Sequence, residues 1–377
     1  MDKVRIGFVG AGWMGAVQLQ RLAARQDVEV LYLLEPNAQR AREALDKAGL
    51  TATALAQSYD QLLADPRVDA VWLVSPNGFH APQAIAAMQA GRHVFCEKPA
   101  ATRLPDFLRE IELEEASPSL ITFVDYILYF DSMEQRLRRM VADGLLGQIS
   151  QIQINYRHPV NIAGDKTWKL KQEIMGDAIV MGINHALSAM LWIMEANGAR
   201  PVGVTASSHN AHVRGFEADP VWNIFIRFDT GACGVCLGNI DYNNGYDAYH
   251  NISGTHGAFI FDSGQERPAK VRYWSAEATA GKWLWPLDVP RCQAQGQEPW
   301  PPDTTTPDSG NVVAHQTAAC VGHFIDCVKS GTRSPLSFAN SRLIGELGWA
   351  ARVSAALGGR EVRLPLDYTQ AMSMVEG

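Results

Sequence analysis

A basic surplus is missing from this chain. Across 377 residues, 33 Lys and Arg stand against 40 Asp and Glu, a net charge of −7. A surface of that sign does not neutralise phosphates, so nucleic acid is excluded as a general partner, though a local basic pocket is not. Cysteine is scarce and unpatterned. Cys96, Cys233, Cys236, Cys292, Cys320 and Cys327 show no disulfide framework, and Cys233-Gly-Val-Cys236 is a lone CxxC without a second pair, so no metal is expected. No uninterrupted apolar run is long enough to span a bilayer. The opening Met1-Asp2-Lys3 leads into an apolar run that breaks at Gly10-Ala11-Gly12, too soon for a signal-peptide core, and a cytoplasmic protein without membrane partners is expected. Internal repeats are absent, and the stretch Gln293–Gly310, rich in Pro, Gln, Thr and Asp, reads as a long exposed loop.

What is present is globular. Apolar residues make up 47% and charged residues 19%, and the length suggests two domains. The first third alternates strand and helix. Val4–Val9 is a continuous apolar strand, as where both faces of a parallel sheet are covered. Strands are expected over Val28–Leu34, Val68–Val74, His93–Cys96 and Ile121–Val124, and helices over Met14–Arg25, Ala38–Ala48, Tyr59–Ala64 and His80–Ala90. After a helix at Ser132–Ala142, strand patterns dominate: Ile149–Tyr156, Val202–Ser208, Val221–Phe228, Ala232–Ile240, Ala248–Ser253, Ala258–Phe261 and Val271–Trp274. Turn signals such as Asp229-Thr-Gly231 and Asn243-Asn-Gly245 separate them, and one apolar helix, Ala178–Glu195, interrupts them. Two helices, Val312–Lys329 and Asn340–Leu357, are expected to close the chain.

The pattern predicts an α/β Rossmann domain with a doubly wound parallel sheet over 1–124. An α+β domain with a large, mostly antiparallel open sheet is predicted over 125–377. So many strands with so few helices leave one sheet face apolar, which points to a homodimer or homotetramer.

Gly10-Ala-Gly12-Trp13-Met14-Gly15 is a G-x-G-x-x-G following a buried strand and opening a helix, the context that makes it a dinucleotide-binding fingerprint. The first Gly permits the tight turn, the second lets the backbone approach a pyrophosphate, and the third lets helix and strand pack closely. The helix N-terminus adds N–H donors and a positive dipole end. Glu35 ends the second strand, where a carboxylate accepts from both ribose hydroxyls and repels a 2′-phosphate; this favours NAD over NADP, with Arg40 as a nearby cation of opposite tendency.

Three further segments are Leu62-Leu-Ala-Asp65-Pro66-Arg-Val-Asp69-Ala-Val71, Ser75-Pro76-Asn77-Gly-Phe-His80 and Ala90-Gly-Arg-His-Val-Phe-Cys-Glu97-Lys98-Pro99. With the glycine motif they resemble the Gfo/Idh/MocA oxidoreductases, closely over the N-terminal domain and more loosely through Trp168, Gly176–Glu195 and the C-terminal helices. The resemblance implies that Lys98 sits beside the nicotinamide and the reacting carbinol and assists proton transfer. It also implies that Ser75, Pro76, Asn77, His80 and Glu97 line the cofactor pocket; His80 reads equally well as a structural residue of a helix N-terminus. Family members commonly carry an Asp and, four residues later, a His. Here His185 takes the His position, Met181 the Asp position and Ser188 that of another frequent acid; Asp177 is the nearest carboxylate, out of register, and a one-residue slide would put Asn184 at the His position. Lys98 alone, or Lys98 with Tyr126, then carries the proton; Tyr126 reads equally as a core residue. Tyr156, Arg157 and Trp168 can stack on a sugar face or bind its substituents, and Asn184 and His185 complete the candidate substrate set.

The expected activity is hydride transfer between a secondary alcohol of a sugar, sugar derivative or cyclitol and NAD. An alternative is an NAD-dependent glycoside hydrolase that oxidises, eliminates, hydrates and re-reduces, kept open by Met181. A non-catalytic NAD-responsive regulator is a third reading, disfavoured by the intact Glu97-Lys98-Pro99.

Overall fold

The computed structural model describes residues 3–242, 245–263, 270–307 and 316–375. Parts of three expectations lie outside them: residues 308–310 of the expected loop, the first residues of the helix expected from Val312, and Asn243 and Asn244 of one turn signal. The chain divides into two compact units. One comprises Met1–Ile127, Lys171–Gly176 and Asn311–Gly345, the other Leu128–Leu170, Asp177–Gly310 and Glu346–Gly377.

The first unit is a parallel sheet of six strands: β1 Val4–Val9, β2 Val28–Leu34, β3 Ala54–Leu55, β4 Ala70–Leu73, β5 His93–Cys96 and β6 Thr122–Val124, in the order β3-β2-β1-β4-β5-β6. Order reverses between β1 and β4, and at such a switch point the carboxyl ends of the strands leave a crevice for a ligand. The helices are α1 Trp13–Ala23, α2 Ala38–Ala48, α3 Tyr59–Ala64, α4 His80–Gln89 and α5 Leu104–Ala116. The last was not legible as a helix; its buried Leu104, Phe107, Ile111 and Glu114 do follow helical spacing, but acids occupy Glu110 and Glu114 on that stripe.

The expected division into 1–124 and 125–377 needs correction, because the chain returns to the first unit. Helix Thr317–Ser330 buries Cys320, Val321, Phe324, Ile325 and Val328 along one stripe. Phe324 meets Trp72 and Phe95 edge-on, with centroids at 5.5 and 5.7 Å, while Trp72 and Phe95 stack at 3.7 Å. The aromatic rows of β4, β5 and β6 need a cover on this face, and a segment two hundred residues downstream supplies it.

The second unit is built on a sheet of ten strands that bears out the mostly antiparallel expectation. They are β7 Ile149–Ile154, β8 Tyr156–Arg157, β9 Pro201–His209, β10 Val221–Phe228, β11 Cys233–Asn239, β12 His250–Gly254, β13 Gly257–Phe261, β14 Val271–Ser275, β15 Trp283–Leu284 and β16 Val362–Arg363. The order is β15-β14-β13-β12-β7-β11-β10-β9-β16; only β11 pairs in parallel, with β7 and β8. The inner residues of β11 are Gly234, Cys236 and Gly238. A Cβ at Gly234 would lie 2.6 Å from Met190 Sδ, and one at Gly238 would lie 2.2 Å from Ile183 Cδ1. Small residues there let the apolar helix Asn184–Ala196 and the turn before it seat on the sheet. The run Gln172–Ala196 is long and apolar enough to cross a membrane by length and composition alone, but it is interrupted by Glu173 and Asp177, and 78% of its most apolar window is buried inside the protein.

Candidate active site

The glycine turn behaves as its three positions require. Gly10 has φ +94°, and a Cβ on it would lie 2.5 Å from the Val74 carbonyl oxygen. At Gly15 the same atom would come within 2.2 Å of the Gly10 carbonyl oxygen, so this glycine sets the approach of α1 to β1. Around Gly12 a Cβ would meet nothing within 4 Å, and no side chain caps the N-terminus of α1. Open space beside uncapped N–H groups is what a pyrophosphate needs. Trp13 is 61% exposed at this turn, and Met14 is half-buried.

Glu35 follows β2. Its Oε2 accepts from the Ala11 N–H at 2.8 Å, and Oε1 accepts from the Asn37 N–H at 2.9 Å and from Arg40 Nη2 at 2.7 Å. Burial works to raise this carboxyl, yet Arg40 and the two N–H groups hold it below its ordinary range. Glu35 is therefore ionised at neutral pH, with one oxygen tied to the glycine turn itself.

The segments after β4 and β5 are tied together. Ser75 Oγ donates to Gln83 Oε1 at 2.6 Å, and Asn77 Nδ2 donates to the Met175 carbonyl at 2.9 Å. Pro76 is half-buried between them. His80 is buried with both ring nitrogens at backbone carbonyls, Nδ1 2.7 Å from Pro99 and Nε2 2.6 Å from Ser75. A neutral ring donates to only one of these; burial lowers the proton affinity of the ring and the two carbonyls raise it. Of the two roles open to His80, the geometry is that of a clamp between the Ser75 turn and Glu97-Lys98-Pro99. Lys98 keeps part of its surface open, but crowding around the ammonium pulls its pKa below the ordinary lysine value, against the charges of Glu97 and Asp125. Tyr126 is buried just past β6.

Sequence reasoning missed the groups behind Lys98. Gln18, on the buried stripe of α1, donates from Nε2 to Glu97 Oε1 at 2.8 Å and to Asp125 Oδ2 at 3.1 Å, while its Oε1 accepts from Trp72 Nε1 at 2.6 Å. The available signal was a Gln in helical register with Gly15, Leu19 and Leu22, the other buried residues of α1.

In the second unit the residues expected to hold substrate are only partly together. The segment Ile179–Ile183 is a π turn leading into helix Asn184–Ala196. Its i→i+5 bonding means that counting by fours back from His185 to Met181 does not follow one face. Half-buried His185 lies 5.8 Å, centroid to centroid, from Tyr156, which in turn meets His158 at 6.0 Å and Tyr246 at 5.9 Å. A Cβ at Gly182 would lie 2.2 Å from Tyr156 Cε1, so the π turn makes room for this ring. Asn184 is buried, donates to the Val180 carbonyl at 3.2 Å and leaves Oδ1 without a hydrogen-bond partner. Arg157 is committed to Asp247 at 2.5 Å and lies over the Tyr242 ring. Trp168 sits in the 3-10 turn Gly164–Leu170 with the Lys169 ammonium 5.7 Å from its ring centroid. Asp177, the nearest acid in sequence, is held by Arg352 at 2.6 and 2.9 Å.

Comparison with known proteins follows the same division. Residues 4–125 match the model of the oxidoreductase family with an NAD-binding Rossmann fold, and residues 135–260 match that of the GFO/IDH/MocA C-terminal domain. Inositol 2-dehydrogenase of Salmonella typhimurium is 31% identical over 192 residues, 51% of this chain and 54% of that protein. The enzyme of that name from Corynebacterium glutamicum is 34% identical over 202 residues, 53% and 56% of the two chains. The chain thus spans about half the length of these relatives. Levoglucosan dehydrogenase, in a complex with NADH and levoglucosan, superposes with a TM-score of 0.78 at 20% identity, covering 96% of this chain and 100% of that one. Aldose-aldose oxidoreductase from Caulobacter crescentus, complexed with glycerol, gives 0.77 at 20% identity, with the same coverage. At such identity these two structures speak for the fold alone. With both of its family models matched in order along the sequence, a glycine turn shaped for a dinucleotide and Glu97-Lys98-Pro99 at the end of β5, the chain belongs to the Gfo/Idh/MocA oxidoreductase family and carries its NAD-binding Rossmann domain.

Proposed function

We propose that the chain is an NAD-dependent dehydrogenase that passes hydride between a secondary alcohol of a sugar, sugar derivative or cyclitol and the nicotinamide. The observation that carries the reading is Lys98. It is a lysine of lowered proton affinity at the carboxyl end of β5, in the same unit as the glycine turn and Glu35. The inositol 2-dehydrogenase relatives supply the substrate class. When bound, NAD supplies the hydride acceptor. The open space at Gly12 and the uncapped α1 N-terminus take the pyrophosphate, Glu35 takes the ribose, and Trp13, Met14, Ser75, Pro76, Asn77 and Glu97 border the cofactor. Lys98 and His185 manage the carbinol proton, with Tyr126 as an assisting group. Tyr156, Arg157, Trp168 and Asn184 contribute to substrate binding.

The test is a screen of sugars, cyclitols and glycosides with purified protein and NAD, following NADH and released aglycone together. NADH accumulating with an alcohol substrate supports the dehydrogenase. Aglycone release without net NADH would replace it with the glycosidase reading that Met181 keeps open. Ligand binding with no turnover would leave a regulator.

Cofactor choice follows from Glu35. An ionised carboxylate at the end of β2 repels a 2′-phosphate, so NAD is expected to bind more tightly than NADP, and Glu35→Ala should narrow the gap by releasing Arg40 toward the phosphate. Fluorescence titration with both cofactors at equal ionic strength checks this; tighter NADP binding by the unaltered protein overturns it.

The outer face of the ten-stranded sheet carries Phe225, 41% exposed, with half-buried Val235, Leu237, Ile260, Trp274 and Trp283. Phe225 pairs with Val235 across β10 and β11, and Trp274 with Trp283 across β14 and β15, so the apolar residues fall in rows. We infer that a second copy covers this face in a homo-oligomer, since isologous pairing buries such a surface twice over. Light scattering at micromolar concentration should give a dimer or tetramer mass; a monomer refutes it.

A further inference from the structure

The carboxyl groups of Glu97 and Asp125 are both buried in the core of the first unit. Glu97 precedes Lys98 at the end of β5. Asp125 follows β6, with its N–H donating to the Cys96 carbonyl at 2.9 Å. The two carboxyls lie close enough for each to act on the protonation of the other. One amide group bridges them: Gln18 Nε2 donates to an oxygen of each. The orientation of that amide is not free. Trp72 Nε1 can only donate, so the Gln18 atom facing it at 2.6 Å is the oxygen, and the NH2 must face the acids. Asp125 Oδ1 is sealed from solvent and receives no N–H or hydroxyl donor. Two adjacent buried carboxylates with a single amide between them repel each other, and the ordinary resolution is one retained proton.

We propose that Glu97 and Asp125 share one proton and act together as a singly charged counter-ion that sets the proton affinity of Lys98. The neighbours fit that charge. Burial, then Asp125, pushes Glu97 well above the usual carboxylate range, and burial pushes Asp125 up to about 6, both in the direction that favours one retained proton on the pair. The Cys320 thiol, on the helix Thr317–Ser330, supports the charge by hydrogen bonding to Asp125. Cys96 stays a thiol because burial, Glu110, Glu97 and Asp125 all raise it. His80 is near enough to Lys98 that a positive charge on either disfavours one on the other. Lys98 thus meets one net negative charge from the pair, enough to hold its ammonium in a desolvated place without fixing the proton there permanently. Glu97 and Asp125 are positioning residues in this scheme. The scheme deepens the dehydrogenase reading, but its central claim concerns protonation and stands or falls without turnover.

The test begins with infrared spectra of the full-length, cofactor-free protein at neutral pH. A protonated-carboxyl band is expected that disappears in both Glu97→Gln and Asp125→Asn, since either amide leaves the remaining acid ionised opposite Lys98. Glu110, buried with neither oxygen bonded and held protonated by burial, gives a band of its own, identified by its loss in Glu110→Gln. A band lost in Glu97→Gln but kept in Asp125→Asn overturns the sharing, as does no band beyond that of Glu110. The second readout is the Lys98 titration by NMR of isotope-labelled lysine, its signal assigned by loss in Lys98→Met. Each single variant keeps one negative charge and should shift the midpoint little, whereas Glu97→Gln with Asp125→Asn should lower it by about one pH unit or more. Equal shifts in all three variants, or none in the double variant, overturn the counter-ion role. If the double variant fails to fold, the infrared arm still decides.

Discussion

Lys98→Ala is expected to lower turnover by about 100-fold or more, the scale of a positioned acid–base group, while NAD still binds. The separation of effects follows from the fold. The features proposed to meet the pyrophosphate and ribose stand on β1, α1 and β2, whereas Lys98 follows β5. In alcohol oxidation the lysine must be neutral to accept the carbinol proton. Crowding lowers its pKa, so the rate should rise with pH along a limb below the ordinary lysine value of about 10.4. Lys98→Arg keeps the positive charge but should not restore the rate, because a guanidinium does not give up its proton in this range. Turnover and the NAD dissociation constant, measured on the substrate found in the screen, decide the matter. A near-normal rate in Lys98→Ala removes the residue from the mechanism; lost NAD binding would make it a cofactor residue instead.

Local pattern carried the sequence reading far because most of this chain obeys it. The seven strand segments expected after residue 148 all appear as strands, and Ala38–Ala48, Tyr59–Ala64 and Ser132–Ala142 are helices with the expected ends. Several of the misses have a physical cause. Helix Leu104–Ala116 hid because Glu110 and Glu114 sit on its buried stripe, where periodicity expects apolar side chains. Strands β3, β15 and β16 are two residues long and leave no period to read. The return of Thr317–Ser330 to the first unit is a tertiary event, set by the need to cover Trp72 and Phe95 and unmarked in its own sequence. At the site, the glycine turn, Glu35 and Lys98 were legible because short motifs place them. The Gln18–Glu97–Asp125 contacts join residues 79 and 107 apart and could not be read from spacing. The π turn at Ile179–Ile183 was invisible for a different reason: it leaves composition unchanged while breaking the four-residue count on which the His185 alignment relied.

That break bears directly on His185→Ala, which is expected to cut turnover about 100-fold while leaving the melting temperature nearly unchanged. A catalytic imidazole needs access and an oriented ring. Half-buried His185 has the first, and its tilted contact with the Tyr156 ring, itself hydrogen-bonded to Tyr246, contributes to the second. No acid in the preceding turn competes for the role: Met181 cannot accept a strong hydrogen bond, and Asp177 is already held by Arg352 through two contacts. In the proposed role the Tyr156 ring helps to position the imidazole, and Gly182 leaves room for that ring, since any Cβ there would drive into it. Gly182→Ala should therefore lower turnover in the same direction as His185→Ala by displacing Tyr156. If His185 is instead a packing residue, His185→Ala should lower the melting temperature and spare specific activity. Both quantities measured on one preparation separate the two outcomes, and a destabilised but fully active variant would leave proton transfer to Lys98 alone.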